Sequence, residues 1–469
     1  MLDVFPLAYF ALVLGVGLLH RPRAAGQEEF FLARRSAGTV LMTGSLLATM
    51  LGAFAVMGVS GLAFQSGLAA GWYLWGGCVG LLALALWVVP RANVSGVYTL
   101  PELLGRGYGP LVRQIAAALI AISWISLIAA QFIAAGKVLQ FIGRQTAWGG
   151  LPEWGNAPFT VVITIVIIAY ACLGGQRSVL RTDLIQAGFI CVALLALAVG
   201  AGAARPVPEI DLPPDLWRLP FNETIGPLKA LSLVLTFGVP FLVGPDIYSR
   251  LFCGRDAASA RRAVVASAVL LAPLALLIVW NGVLARVCLP PSPAEANIVI
   301  LELARQSLSP LWGGLLVAGL LAAVMSSADT CLLTVSTLVS RDLLDEWLGP
   351  LRDERASVRR ARGIVAMAGF AALLVALYKQ DIVAALMNCY KVYSPAVLCP
   401  FLALVLFRGR RFSSWTGAVA VLSGGLCAAI GLWLQLAALQ VAAFAVAAIP
   451  IVFDLLLSRR RQAPNPSRF

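Results

Sequence analysis

The chain has 469 residues, of which 60% are hydrophobic and only 12% charged, and its mean hydropathy is +0.89. So few charges cannot cover a water-soluble surface of this size, whereas several stretches exceed the roughly 18–20 apolar residues that cross a bilayer of about 30 Å. The net charge of +13 does not point to nucleic acid, because the basic residues sit in alternate loops instead of forming one face.

Hydropathy predicts an all-α polytopic membrane protein of about thirteen transmembrane helices. They fall near 2–20, 39–65, 69–90, 112–142, 158–174, 182–203, 228–249, 263–289, 311–337, 363–378, 382–407, 413–435 and 438–457. The first lacks a basic start and a small-residue cleavage site, so it reads as a helix and not a signal peptide. The second carries Gly44, Gly52, Gly58 and Gly61, and the seventh carries Gly238, Pro240, Gly244 and Pro245. Glycine at close helix contacts is one reading. Interrupted helices at matching places in two halves are the other, and they mark transporters built from inverted repeats. The longest loops are 143–157, 204–227 and 338–362; none is a domain linker, and the tail RRRQAPNPSRF is polar.

Arginines gather at Arg21, Arg23, Arg34 and Arg35; Arg91 and Arg106; Arg177 and Arg181; Arg255, Arg261 and Arg262; Arg352, Arg355, Arg359, Arg360 and Arg362; Arg408, Arg410 and Arg411; and Arg459, Arg460 and Arg461. The intervening loops are uncharged or acidic, as at Glu209, Asp211 and Asp215. The positive-inside bias then places the N-terminus outside and the C-terminus in the cytoplasm, which needs an odd number of spans.

The nine cysteines are scattered without a CxxC, and His20 is the only histidine. There is no P-loop, GxSxG or HExxH pattern, so neither an enzyme nor an ATP-driven pump is expected.

The most informative stretch is 321–342, LAAVMSSADTCLLTVSTLVSRD. Ser326, Ser327, Thr330, Thr334, Ser336 and Thr337 interrupt an apolar helix-length run, and Asp329 is a charge inside it. Polar and ionisable groups inside a bilayer face a bundle interior or an ion path. The pattern offers oxygens to a hard cation.

Four blocks are similar to the sodium:solute symporter family: FFLARRSAGTVLMTGSLLATMLGAFAVMGVSGLAF (30–64), GVYTLPELLGRGYG (96–109), GPDIYSRLFCGRDAASARRA (244–263) and AAVMSSADTCLLTVSTLVSRDLL (322–344). The resemblance implies a LeuT-like five-plus-five inverted-repeat core with peripheral helices. The chain would then divide into a peripheral first helix and loop (1–38), a first repeat (39–203), a second repeat (204–407) and two peripheral C-terminal helices with a basic tail (408–469). It further implies a sodium site made of the Ala48, Leu51 and Ala323 carbonyls and the Ser326 and Ser327 hydroxyls. The alternative for the serines is a bond back to a carbonyl one turn earlier. A second ion site, found in some members, would use Asp183, Ser326, Asp329 and Thr330. Asp183 has a second reading as a helix cap, and Asp329 a second reading as the partner of Lys391.

Sugar symporters of the family line their pocket with polar side chains where this chain has Met50, Ala55 and Leu74, which disfavours a sugar. The proline branch has an Asp where this chain has Met50. Pocket candidates are Met50, Phe54, Leu74, Trp75, Gln131, Asn388 and Lys391. Lys391 lies about ten residues into its span, near the midplane at about 1.5 Å per residue. A lysine there needs a partner: a substrate carboxylate, Asp329 or helix carbonyls. The expectation is a sodium-coupled symporter of a small organic anion or amino acid in a bacterial inner membrane, with Na+, solute and lipid as partners and no nucleic acid. A proton-coupled symporter using Asp183 and Asp329, and a non-transporting sensor, are the alternatives.

Overall fold

The structure is a computed structural model describing residues 4–19, 26–90, 97–145, 155–204, 213–290, 296–379, 381–407 and 410–461. His20, Arg21, Arg23, Arg91, Glu209, Asp211, Arg408 and the tail from 462 lie outside the described residues. The described residues are helices joined by short connections, with one isolated bridge, Ala37 to Gly254.

In chain order the main helices are α1 (Val4–Leu19), α2 (Thr39–Met50), α3 (Val59–Ser66), α4 (Trp72–Ala83), α5 (Leu100–Tyr108), α6 (Pro110–Gln145), α7 (Ala157–Leu173) and α8 (Gln176–Ala204). The broken pair α9 (Pro227–Val243) and α10 (Pro245–Leu251) comes next. Then follow α11 (Ala257–Cys288), α12 (Val299–Ser307), α13 (Pro310–Thr337), α14 (Glu354–Tyr378), α15 (Ile382–Leu406), α16 (Ser414–Trp433) and α17 (Ala437–Arg461).

Among the described residues nine helices are long and apolar enough to cross a membrane, or ten if α9 and α10 form one bent span. This differs from the thirteen expected for identifiable reasons. Among the described residues α1 has 16 and α7 has 17, below the roughly 18 needed to span without help. The expected span 39–65 is interrupted after Met50, and its second half continues through a 3-10 turn, Gly67–Gly71, into α4.

Burial sets the layers. In the span that contains α13, 78% of the most apolar stretch is buried, against 17% for α17, so α13 is central and α17 peripheral. α13 packs on α8 and α6, and α2 lies against α8, α11 and α13. α16 and α17 pair with each other and attach through α15. Close approach needs small residues. A Cβ on Gly80 would stand 2.1 Å from the Gly238 carbonyl, so α4 and α9 touch backbone to backbone only because both positions are glycine.

Candidate functional site

α2 stops at Met50 because Leu51 turns to φ −84°, ψ 35°, out of helical geometry. The ladder resumes when the Val56 amide donates to the Gly52 carbonyl at 3.1 Å. The rungs between are replaced from other helices. Ser326 Oγ donates to the Ala48 carbonyl at 2.9 Å and lies 3.1 Å from the Ala323 carbonyl. Ser327 Oγ donates to the Thr49 carbonyl at 2.8 Å. The Ala53 amide donates to Gln131 Oε1 at 3.0 Å. Backbone groups freed by a break must find such partners in a buried setting. Gly52 makes room for them, since a Cβ there would sit 2.4 Å from Ser327 Oγ and 3.2 Å from Gln131 Oε1.

Ala48, Ala323, Ser326 and Ser327 are therefore gathered at one buried point between α2 and α13, and Leu51 is buried at the break beside it. Leu51 is the non-helical residue itself, and the Ser327 hydroxyl lies on Thr49, a carbonyl that sequence matching did not single out.

Beside this point lies a buried ion pair. Asp183 is in the interior of α8 and is not its cap, because the helix starts at Gln176, after Gly175 turns the chain at φ +130°. Arg250 Nη2 stands 3.2 Å from Asp183 Oδ2, with both side chains almost wholly buried. Ser45 Oγ donates to the same carboxylate oxygen and accepts from Arg250 Nε at 3.1 Å. Arg250 also donates to Ser249 Oγ at 3.0 Å and to Thr330 Oγ1. Thr330 Oγ1 donates to the Ser326 carbonyl at 2.7 Å, and Thr49 Oγ1 lies 3.2 Å from it. The guanidinium thus stands between Asp183 and Thr330. Asp329 is buried with both carboxylate oxygens unpartnered and does not pair with Lys391.

The second break lies between α9 and α10, which bend by 41°. Gly244 is extended at ψ 119°, and Pro245 has no amide to offer the Phe241 carbonyl. Two tyrosines serve neighbouring carbonyls: Tyr393 donates to Pro240 at 3.1 Å and Tyr248 to Leu242 at 3.2 Å.

A cavity lies between the two breaks, with about 40 Å³ open to the centre of a water-sized sphere. That is room for a few waters or a small solute group. Met50, Phe54, Leu74 and Gln131 line it, with Thr49 and Ser327 reaching it from the first break. Trp75 does not; its Nε1 donates to the Ala272 carbonyl at 3.2 Å. Asn388 is also outside the lining. Lys391 is half-buried and outside the lining.

Asp246 and Arg250 were not singled out from sequence. The signal was present: both follow the Gly-Pro break within a mostly apolar span, where a charge at membrane depth marks a site.

The chain is similar to known transporters over most of its length. The high-affinity proline transporter PutP of Bacillus subtilis is 25% identical over 425 residues, covering 87% of each chain. The sodium/glucose cotransporter of Vibrio parahaemolyticus is 24% identical, covering 78% of this chain and 73% of its own. A Na+-coupled sialic acid symporter, solved in a substrate-bound outward-open state, superposes with a TM-score of 0.77 at 16% identity, covering 99% of this chain and 98% of that one. At that identity the match shows a shared fold, the LeuT-like five-plus-five inverted repeat with peripheral helices. The family model described as the sodium:solute symporter family matches residues 30–425, and this chain belongs to that family.

Proposed function

We propose that the chain is a secondary symporter that couples sodium entry to the import of a small organic solute by alternating access. Members of its family are transporters and not enzymes. The observation that carries the reading is the meeting of Ser326 and Ser327 with the carbonyls freed at the first break, Ala48 and Thr49. A hydroxyl can turn its hydrogen away and offer a lone pair. Two such hydroxyls, with the Ala48, Leu51 and Ala323 carbonyls, form an uncharged set of hard oxygens suited to Na+. Binding there would hold α2 against α13 and so favour one orientation of the two halves, 39–203 and 204–407. One sodium crossing about 100 mV supplies about 2.3 kcal/mol, and a tenfold gradient adds about 1.4 kcal/mol. Together these sustain a solute gradient of a few hundredfold, on the order of ten per 1.4 kcal/mol.

Loop arginines support an inner-membrane protein with its N-terminus outside and C-terminus in the cytoplasm. A second reading, proton coupling, is favoured by the unpartnered Asp329 carboxylate. Uptake by proteoliposomes separates the two: solute accumulation driven by an inward Na+ gradient at equal pH supports sodium coupling. Accumulation that follows a pH gradient without Na+ and is lost in Asp329→Asn supports the second reading. The guanidinium of Arg250 between Asp183 and Thr330 disfavours a further cation at that point, so one Na+ per cycle is the proposed stoichiometry.

A further inference from the structure

The cavity between the breaks has a charge, and it is negative. Asp246, two residues past Gly244, is the charged side chain among its described lining residues. Arg250 makes no direct pair with it: the carboxylate within 4.0 Å of that guanidinium is Asp183, at 3.2 Å, its other bonds go to Ser45, Ser249 and Thr330, and its positive charge reaches Asp246 only through space. Lys391 lies outside the lining.

Aromatic rings line the same cavity as the carboxylate. Phe54 and Phe237 stack with centroids 5.2 Å apart, and Tyr73 meets Phe237 edge-on at 5.5 Å. Tyr390 meets Phe237 at 6.2 Å, and all four rings line the cavity. The ring face is electron-rich, and a cation within about 6 Å of its centroid is attracted to it. A carboxylate beside clustered rings is a receptor for an ammonium group. An anion would meet the Asp246 charge in a poorly hydrated space, where like charges repel strongly.

We propose that the cavity holds the positively charged amine of its solute, with Asp246 as counter-charge and Phe54, Tyr73, Phe237 and Tyr390 around it. This names the solute class within the symporter reading, on which it rests for the driving ion but not for what the cavity recognises. The solute is a quaternary ammonium compound or an amino acid; both present the same group to Asp246, and they differ in whether a carboxylate accompanies it. For a carboxylate, the Gln131 side-chain NH2 is one donor, because its Oε1 is already taken by Ala53, and the Tyr73 and Tyr390 hydroxyls of the lining are others.

The test is binding to the purified full chain, with probes paired to differ in one group. Choline is compared with its neutral isostere 3,3-dimethyl-1-butanol, and L-proline with cyclopentanecarboxylate. Binding is read by isothermal titration in NaCl and again in KCl. The expected result is that at least one amine binds at least tenfold more tightly than its isostere. Asp246→Asn removes that preference and Asp246→Glu restores part of it. Binding of choline alone identifies a cation solute; binding of L-proline identifies a zwitterion. Isosteres that bind as well as the amines, absence of binding by both amines, or an unchanged preference in Asp246→Asn would each overturn the proposal. If Asp246→Asn does not fold, the comparison of amine and isostere on the unaltered chain decides. Amine preference that is the same in KCl and NaCl supports this inference while counting against sodium coupling, so the two failures are separable.

Discussion

Removing Arg250 should be among the most damaging changes to this protein, and removing its partner as well should repair much of the damage. The guanidinium and the Asp183 carboxylate are 3.2 Å apart with side chains 0% and 1% exposed. At an effective dielectric of about 20, unit charges at that separation attract by roughly 5 kcal/mol. Arg250→Met leaves the Asp183 charge buried with only the Ser45 hydroxyl for company, and Asp183→Asn leaves the guanidinium buried beside hydroxyls. Each single change should cost about 3–5 kcal/mol. The double variant Asp183→Asn/Arg250→Met contains neither charge, and should recover at least about 2 kcal/mol relative to the sum of the singles. The assay is reversible unfolding in mixed detergent micelles, followed by tryptophan fluorescence, on the four proteins of the cycle. Single variants costing under about 1 kcal/mol, or a double variant equal to the sum of its parents, would refute the buried pair as described.

Gly52→Ala should place a methyl 2.4 Å from Ser327 Oγ, prise α2 from α13 and weaken sodium binding at least about tenfold, read by titration with radiolabelled Na+. Gln131→Leu strands the Ala53 amide, for about 1–3 kcal/mol of stability in the same unfolding assay, and removes a cavity donor. Near the expected inner face, Arg113 Nε lies 2.6 Å from the buried Asp342, which also accepts from Thr99 at 2.9 Å. Arg113→Ala should cost about 3–5 kcal/mol, and adding Asp342→Asn should return part of it.

Much of the architecture is legible in the sequence because a bilayer imposes long apolar runs and punishes stray polar groups. The Gly/Pro clusters at 44–61 and 238–245 coincide with the two breaks, because a missing amide and a missing Cβ are local properties. The AxxSS pattern at 323–327 puts Ala323 one turn before Ser326, and the structure keeps that 3.1 Å contact. What faces the serines is less legible. Which carbonyl Ser327 meets depends on how far the break unwinds, and the answer is Thr49. Pairing across distant helices is also hidden. Asp183 and Arg250 are separated by 67 residues, and no periodicity links them. Counting residues along the span puts Lys391 near the midplane, yet a helix residue next to the pocket-lining Tyr390 points about 100° away from it, and Lys391 falls outside the cavity. The helix count is the weakest inference from hydropathy. A short helix such as α7 and a broken one such as α2–α3 give apolar runs like those of full spans.

The measurement that bears most directly on the account is radiolabelled sodium binding to the purified protein, for wild type and Ser327→Ala, with potassium as competitor. The site formed where Ala48, Thr49 and Leu51 meet Ser326 and Ser327 predicts saturable binding in the wild type that resists potassium and is lost in the variant. Absence of specific sodium binding in the wild type, or a Ser327→Ala protein that binds as the wild type does, would contradict it.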